Sequence, residues 1–442
     1  MLKEHNRRRF FVNLAALSFA TPLAASARGA WAQANSKVHI ACVGAGWGGK
    51  GYSDMLETSV GQEIVAICDI DEERLAKAAE KFPGAKRYTD WRKLMEQKDI
   101  DAVTISTPDH MHAAVTLSAM QLKKHVYTQK PLTRTVFEAR QLTAAAKQAG
   151  VVTQMGIQHH SSARLKQAVQ AIRSGVVGKV SEVHTWTDRP GTYWKQGLDR
   201  PERKDEVPAH VHWNEWLGVA PERPYVAGLY HPFHWRGWWD FGTGALGDMG
   251  CHIMDPVVNA LELGPPRTVE AEGPPPHPES GPLWCIVRYE FPGTKHTVES
   301  LKLTWYEAGK QPPRELFQAP TDWKGSQNGV LFVGEKGNLF VGFPENPELF
   351  PREKFADYKF ADVAEDNHYT QWTEAILGRG RTSCPFAYSG PLTETVLLGN
   401  IAYRTGKKIE WDSANLKAAG NPAAEPLLKT TFRSGWEIKG LG

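Results

Sequence analysis

"KVHIACVGAGWGG", residues 37–49, decides the fold. Its first half is a short apolar run rich in β-branched residues. Its second half is Gly44-x-Gly46-x-x-Gly49, placed before a helical pattern. Three spaced glycines alone say little. Directly after a strand they form a dinucleotide fingerprint: Gly44 makes the tight turn, Gly46 lets a pyrophosphate approach the backbone, and Gly49 lets helix pack on strand. "EIVAICDID" (63–71) is a second buried strand, and Asp69 near its end is placed to accept hydrogen bonds from an adenosine ribose. Asp69 and Asp71 repel a 2′-phosphate and the nearest arginine is Arg74, which favours NAD over NADP.

Working outward, a helix is expected from Asp71 through Ala79, then strands "DAVTISTP" (101–108), "KHVYTQKP" (124–131) and "VVTQMG" (151–156), separated by helices at His112–Leu122 and Val136–Ala149. Short apolar strands alternating with helices predict an α/β Rossmann unit with a doubly wound parallel sheet. After Gly156 the pattern changes. A helix at Ser162–Ser174 and the strand "KVSEVHTWTD" lead into a Pro/Trp/His-rich stretch from Arg189 to about Thr243. Longer alternating strands follow: "LWCIVRYEF", "HTVESLKLTWYE" and "GVLFVGEKGNLFVG", the last turning at Gly-Glu-Lys-Gly. Helices at Asn367–Leu377 and Leu392–Thr405 close the chain. The expected organisation is a targeting segment (1–34), an NAD-binding domain (35–155), and a C-terminal α+β domain (156–442) with a mainly antiparallel sheet.

A chain of 442 residues, 23% charged and 41% hydrophobic, suits two ordinary globular domains. Of the formal +3 charge, residues 1–34 supply +4 (Lys3, Arg7, Arg8, Arg9 and Arg28 against Glu4). The remainder carries −1, with no basic excess for nucleic acid. The same segment has a twin-arginine start (Arg7, Arg8, then Phe10 and Phe11) and an apolar stretch from Val12 to about Ala25. Small-residue cleavage options follow at Ala30-Trp31-Ala32 and Ala32-Gln33-Ala34. The stretch is too short and too rich in Ala, Ser and Thr for a span of about 20 residues. It predicts twin-arginine export to the periplasm or beyond and no stable membrane insertion after removal. That route serves proteins folded around a cofactor, so NAD is expected to be tightly held. The five cysteines lack metal-ligand spacing and are expected as buried thiols; His110 and His112 have no third ligand, so no metal is expected.

"VGAGWGG", "DAVTISTPDHMH", "KHVYTQKPL" and "GALGDMGCHIMD" follow the order found in the glucose–fructose oxidoreductase/inositol dehydrogenase/rhizopine-catabolism (Gfo/Idh/MocA) family, which this chain resembles over nearly its whole length after the signal. The segments "GTGALGDMGCHIMDP" and "HPFHWRGWWDF" look most like an exported subgroup. The resemblance implies NAD(P)-dependent oxidation or reduction of a sugar or cyclitol hydroxyl, and a C-terminal sheet often used to form a homo-oligomer. It carries the family's lysine onto Lys130 and its Asp/His pair onto Asp248 and His252. By spacing, Asp248, His252 and Asp255 share one helix face, which Pro256 should kink. An isolated Asp-x-x-x-His is more often an N-cap beside a core histidine; the resemblance reverses that reading. It implies His252 as the main acid/base, Asp248 orienting it, and Lys130 bonding the reacting oxygen; which of Lys130 and His252 takes the proton stays open.

The expected cofactor wall is Gly44, Gly46, Trp47, Gly49, Asp69, Ser106, Thr107, Pro108, His112, Gln129, Lys130 and Gln158. The expected substrate wall runs from Trp186 to Asp240 and includes Arg189, Tyr193, His231, His234, Trp235, Arg236, Trp238 and Asp240, together with Asp248 and His252. Aromatic faces stack on the C–H faces of sugars, while charged groups bond hydroxyls. Three activities fit: a sugar or cyclitol dehydrogenase, a glycosidase that uses NAD in a transient oxidation–elimination cycle, and a sugar-binding protein without catalysis. Gln129 stands where the family usually has Glu. Its neutrality predicts a Lys130 that shares proton transfer more readily, and the Lys130–Pro131 bond is a candidate for the cis form.

Overall fold

The computed structural model describes residues 37–441 except Pro344; the predicted targeting segment lies outside them. The first sheet is built from the five buried runs anticipated and one further, mostly exposed edge strand at Lys86–Tyr88. In chain order its elements are β1 (His39–Val43), α1 (Lys50–Thr58), β2 (Glu63–Cys68), α2 (Glu72–Ala79), β3 (Lys86–Tyr88), α3 (Trp91–Leu94), β4 (Ala102–Ile105), α4 (Asp109–Gln121), β5 (His125–Gln129), α5 (Val136–Ala149) and β6 (Thr153–Gly156). The strands lie in the order β3-β2-β1-β4-β5-β6, every neighbour pair parallel. The chain reverses its direction of growth between β1 and β4, which opens a crevice at their carboxyl ends. Asp71 caps α2 by accepting from the Arg74 amide, and Thr135 with Glu138 forms a capping box on α5.

The second half runs through α6 (Ala163–Arg173), β7 (Val180–Trp186), α7 (Trp213–Leu217), α8 (Gly244–Ile253), α9 (Asp255–Leu261), β8 (Thr268–Glu272), β9 (Ile286–Pro292), β10 (Thr297–Tyr306), β11 (Gly329–Gly334), β12 (Gly337–Gly342), β13 (Glu348–Phe350), α10 (His368–Ile376), α11 (Phe386–Thr405), β14 (Ile409–Asp412), β15 (Lys417–Ala419) and α12 (Glu425–Leu428). Its nine strands pair in the order β13-β12-β11-β7-β10-β9-β8-β14-β15. Only β7 and β10 are parallel; the other pairs are antiparallel. The hairpin expected at Gly-Glu-Lys-Gly joins β11 to β12.

The helical face predicted for 248–255 breaks where Pro256 was expected to act: α8 stops at Ile253 and α9 starts at Asp255 with proline in its first turn. The last long helix begins six residues before the expected Leu392, with Pro391 inside it. Proline usually marks a helix start; here packing of α11 on α5 carries the helix past it. Arg140 of α5 grips Glu394 of α11 with two N–H groups, and Trp411 donates to the same carboxylate at 2.9 Å. α10 also returns to the first sheet, where Tyr369 and Trp372 join a core with Val38, Ile40 and Tyr127. The five cysteines are buried thiols, and no described helix is long and apolar enough to cross a membrane.

Gly51, inside α1, sets the approach of that helix to the sheet. A Cβ there would lie 2.0 Å from the Gly44 carbonyl oxygen and 3.0 Å from Ser106. The same addition at Gly49 meets nothing nearer than 3.1 Å, so the close packing expected of Gly49 falls to Gly51. Gly51→Ala is expected to push α1 off β1 and to lower stability by about 2–4 kcal/mol, read as a fall in the urea midpoint at unchanged slope.

Candidate active site

The carboxyl ends of β1, β2, β4 and β5 converge on a solvent-open cleft of about 330 Å³. The glycine turn forms its floor. Gly44 takes φ +77° and donates to the Cys68 carbonyl at 2.9 Å; a side chain there would collide with the Ser106 carbonyl. Gly46 donates its amide to Asp69 Oδ2 at 2.6 Å, and Asp71 donates to Asp69 Oδ1 at 3.1 Å. Burial pushes the Asp69 carboxyl above its ordinary pKa, opposed by those two amides. Glycines with no room for a Cβ and an adjacent fixed carboxylate suit a dinucleotide, the carboxylate facing its ribose.

Gly44, Gly49, Asp69, Ser106, Thr107, Pro108, His112, Gln129 and Lys130 line this cleft. Three expected cofactor residues do not: Gly46, whose amide is spent on Asp69, Trp47 and Gln158. Trp47 is exposed at the turn, with the Lys77 ammonium 3.3 Å above its ring. Gln158 donates to the Tyr127 hydroxyl at 2.8 Å, behind the sheet edge. His112 is buried, and its ring nitrogens each lie 2.8 Å from a carbonyl oxygen, Thr107 on one side and Pro131 on the other. It thereby ties the turn after β4 to the turn after β5. Burial pushes its pKa down to about 4, so the neutral ring donates to one of the two carbonyls.

At the inner end, Lys130 follows β5 with a cis bond to Pro131. Its Nζ donates to the Asp248 backbone oxygen at 2.6 Å and to Asp248 Oδ1 at 2.8 Å. Arg236 Nε donates to the same Oδ1 at 3.2 Å, its guanidinium lying against the Phe233 and Trp235 rings. Burial favours protonation of Asp248, but the Lys130 and Arg236 charges outweigh it and hold the carboxyl well below its ordinary range. The partner expected for Asp248 was His252. The carboxylate instead serves Lys130 and Arg236, because a long side chain from β5 reaches it. His252 sits one turn further along α8, its ring edge-on to His159 at 5.4 Å, and its buried Nδ1 has no partner among the described residues. Burial, then Lys130 and His159, lower its pKa well below that of an ordinary histidine.

The Gln129 amide turns from the Lys130 ammonium and donates to Asp54 Oδ2 at 2.8 Å. Ser106 Oγ donates to the same oxygen at 2.7 Å, while Tyr369 and Lys50 reach Oδ1 at 2.7 and 2.9 Å. Asp54 is completely buried. Gln129 is thus turned to a buried carboxyl group, that of Asp54, one hydrogen bond away.

The substrate wall is narrower than expected. Of the expected residues, His231, Trp235, Arg236 and Asp248 line the cleft, whereas His252 does not. Trp186 and Trp238 are core residues, each 1% exposed; Trp238 packs with Trp216, Tyr230 and Phe241. Asp240 is held by Arg223 on the other side of that cluster. Arg189 stacks on Tyr193 at 3.3 Å outside the cleft, and His234 is exposed against Phe233. Lys50, Arg74, Trp91, Asp109, Glu215 and Trp216 line the cleft without having been singled out. Lys50 and Asp109 were visible as charges beside the glycine turn and in "STPDHMH", whereas the others come from helices whose facing only the fold determines.

Two profiles of one oxidoreductase family match the chain: "NAD-binding Rossmann fold" over residues 38–157 and "C-terminal alpha/beta domain" over 161–299. The chain belongs to the Gfo/Idh/MocA oxidoreductase family. Levoglucosan dehydrogenase of Pseudarthrobacter phenanthrenivorans is 26% identical over 43% of this chain and 40% of its own. Myo-inositol 2-dehydrogenase of Thermotoga maritima is 27% identical over 32% and 42%. These matches therefore span about two fifths of the relatives' length. Among solved structures, the Bordetella pertussis WlbA dehydrogenase with NADH and UDP-GlcNAcA shares the fold at TM-score 0.60 and 19% identity, over 85% of this chain and 99% of that one. Levoglucosan dehydrogenase with NADH and L-sorbose superposes at 0.57, with 16% identity over 85% and 99%.

Asp109 begins α4 in this cleft, accepting from Thr243 Oγ1 at 2.6 Å. Burial pushes its carboxyl up to about 7, against the Thr243 bond and the charges of Lys130 and Arg236. A raised folded pKa means that the native state holds a proton the unfolded chain releases near pH 4, so this group's contribution to stability declines from about pH 4 to pH 7. Asp109→Asn should leave the melting temperature near wild type at pH 4 and raise it by a few degrees at pH 8, measured by calorimetry.

Gln129→Glu sets a second carboxylate against Asp54. It is expected to cost about 2–4 kcal/mol at pH 8. The new acid would have a raised folded pKa, so the penalty should shrink as pH falls from that raised value and should vanish below about 4, where the unfolded acid is protonated too. Denaturant unfolding at the two pH values measures it.

Proposed function

We propose that this protein is an NAD-dependent oxidoreductase acting on a hydroxyl of a sugar, glycoside or cyclitol. The observation that carries this reading is the Lys130–Asp248–Arg236 cluster at the inner end of a cleft whose outer end is the glycine turn and Asp69. The glycine turn would hold the diphosphate, and Asp69 the adenosine ribose. The preference for NAD over NADP rests on that carboxylate, beside which a 2′-phosphate is disfavoured. When bound, nicotinamide supplies the carbon that accepts or returns a hydride.

The protein's own part is to place the hydroxyl and move its proton. An ammonium has three N–H donors. Lys130 directs two at Asp248, leaving one for the reacting oxygen, where it stabilises developing alkoxide. His252, neutral because of its burial, accepts the proton in oxidation and returns it in reduction. Trp235 and His231 offer ring surface, and Arg236 an N–H fork, to the remaining hydroxyls. The twin-arginine start supports export to the periplasm, and with little free cofactor outside the cytoplasm it supports tightly held NAD. Family resemblance supports a homo-oligomer built through the second sheet.

Native mass spectrometry of the purified full chain should show one NAD per protomer; an empty protein or bound NADP would overturn the cofactor assignment. With a panel of sugars and cyclitols, Lys130→Met should lower kcat at least about 100-fold with cofactor retained. Equal loss of cofactor would make Lys130 a binding residue instead. Release of the aryl group from an aryl glycoside without net cofactor reduction would favour the glycosidase cycle. An NAD-loaded protein that binds sugars without turnover would favour a sugar-binding role.

A further inference from the structure

Asp109 lines the cleft, and no step derived above uses it. It opens α4 directly after Pro108, and the residue is 4% exposed. Its two carboxyl oxygens differ. Oδ2 accepts from Thr243 Oγ1 at 2.6 Å. Oδ1 has no hydrogen-bond partner among the described residues, yet it is not one of the sealed polar atoms, so it opens on the cleft. Thr243 is itself fixed. Its backbone oxygen accepts from Asn400 of α11 at 2.7 Å, and a Cβ on Gly247 would collide with its Oγ1, so the hydroxyl lies against the first turn of α8. The carboxyl is thus held by one oxygen and presented by the other.

Charged groups act on it from three sides: Lys130 at the end of β5, Arg236 before α8, and Asp248 within α8. Neither cation bonds Asp109 directly, since both serve Asp248. The Cys251 thiol of α8 is kept protonated by burial, and His110 and His112 on Asp109's own helix are buried and neutral. Burial sets the Asp109 carboxyl to change form at about pH 7. A hydroxyl complements such a group in either form, donating to the ionised carboxyl and accepting from the protonated one. We propose that Asp109 is a substrate-binding residue whose Oδ1 grips a second hydroxyl of the polyol, apart from the one held by Lys130. The inference rests on the reading of the cleft as a polyol site. It adds a specificity rule: a substrate must present one hydroxyl to the end of β5 and another to the start of α4.

The test titrates the full chain, loaded with NAD, calorimetrically with D-glucose, methyl β-D-glucoside and myo-inositol at about pH 6 and about pH 8. An ionised acceptor makes the stronger hydrogen bond. The best-bound of the three should therefore bind more tightly at the higher pH and release a fraction of a proton on binding near pH 7. Asp109→Asn keeps an acceptor for Thr243 but has no proton to lose. It should match wild type at the lower pH, bind about 10-fold more weakly at the higher one, and release no proton. Thr243→Val removes a bond that opposes the effect of burial, so it should move the onset of tighter binding to higher pH. The proposal is overturned if Asp109→Asn binds the polyol like wild type at both pH values. It is equally overturned if the variant loses NAD rather than polyol, which would assign Oδ1 to a cofactor hydroxyl. Should Asp109→Asn not fold, an unmoved pH profile in Thr243→Val overturns the proposal by itself. A wild type that binds none of the three polyols sinks the reading of the cleft, and the inference with it.

Discussion

The carboxylate of Asp54 is sealed from solvent inside α1, and four side chains converge on it: Ser106 after β4, Gln129 at the end of β5, Lys50 one turn earlier, and Tyr369 from α10. A buried charge is tolerated only when donors replace its hydration. Each donor is therefore fixed in place by the penalty of leaving Asp54 unsatisfied. The consequence reaches beyond α1. The network sets the spacing between the turns after β1, β4 and β5, and it draws a helix from the chain's last eighty residues onto the first sheet. The cleft has its shape because its floor is clamped from beneath.

A second constraint acts from above. Lys130 leaves β5 and reaches the first two turns of α8, bonding both the backbone and the side chain of Asp248. The Thr243 hydroxyl, just before the same helix, is bonded to Asp109 of α4. α8 is thus anchored to the crevice by two polar contacts from different strand–helix units. Lys130 and Arg236 face Asp248 and Asp109, so the inner cleft holds formal charges of both signs. With Asp248 ionised and burial favouring a proton on Asp109, the N–H donors of Lys130 and Arg236 remain able to stabilise a transient oxyanion.

Five of the six parallel strands were legible because each is a short apolar run ending in a turn signal, and the helix Val136–Ala149 carried its own capping box. The three-residue strands β3, β13 and β15 were not, since edge pairing of so few residues leaves no alternation to read. The site was legible at the strand ends, where position along the chain dictates position in space. It was illegible where the contact is long-range. Spacing pairs Asp248 with His252 on one helix, yet the pairing that forms spans 118 residues. The tryptophans show the same limit: composition cannot tell a ring that faces a ligand from one, such as Trp238, that closes a cluster over Tyr230 and Phe241.

The proton question turns on the same contrast between local and long-range contacts. Lys130 lines the inner cleft, whereas His252 lies one helical turn beyond Asp248 and does not line it. Lys130 is fastened to a carboxylate that its own charge helps keep ionised; removing its proton would leave Asp248 buried with Arg236 as its remaining cation. Among the described residues His252 has no bonded carboxylate, and Lys130 and His159 together with burial disfavour its charged form. On the proposed reading these differences divide the labour: the lysine stabilises negative charge as it forms, and the imidazole is the group free to take the proton. Holding a substrate oxygen between them would place one fixed donor and one open acceptor on the same atom. Neither direction requires the Lys130–Asp248 pair to break, while the lowered pKa of His252 makes its charged form the readier proton donor.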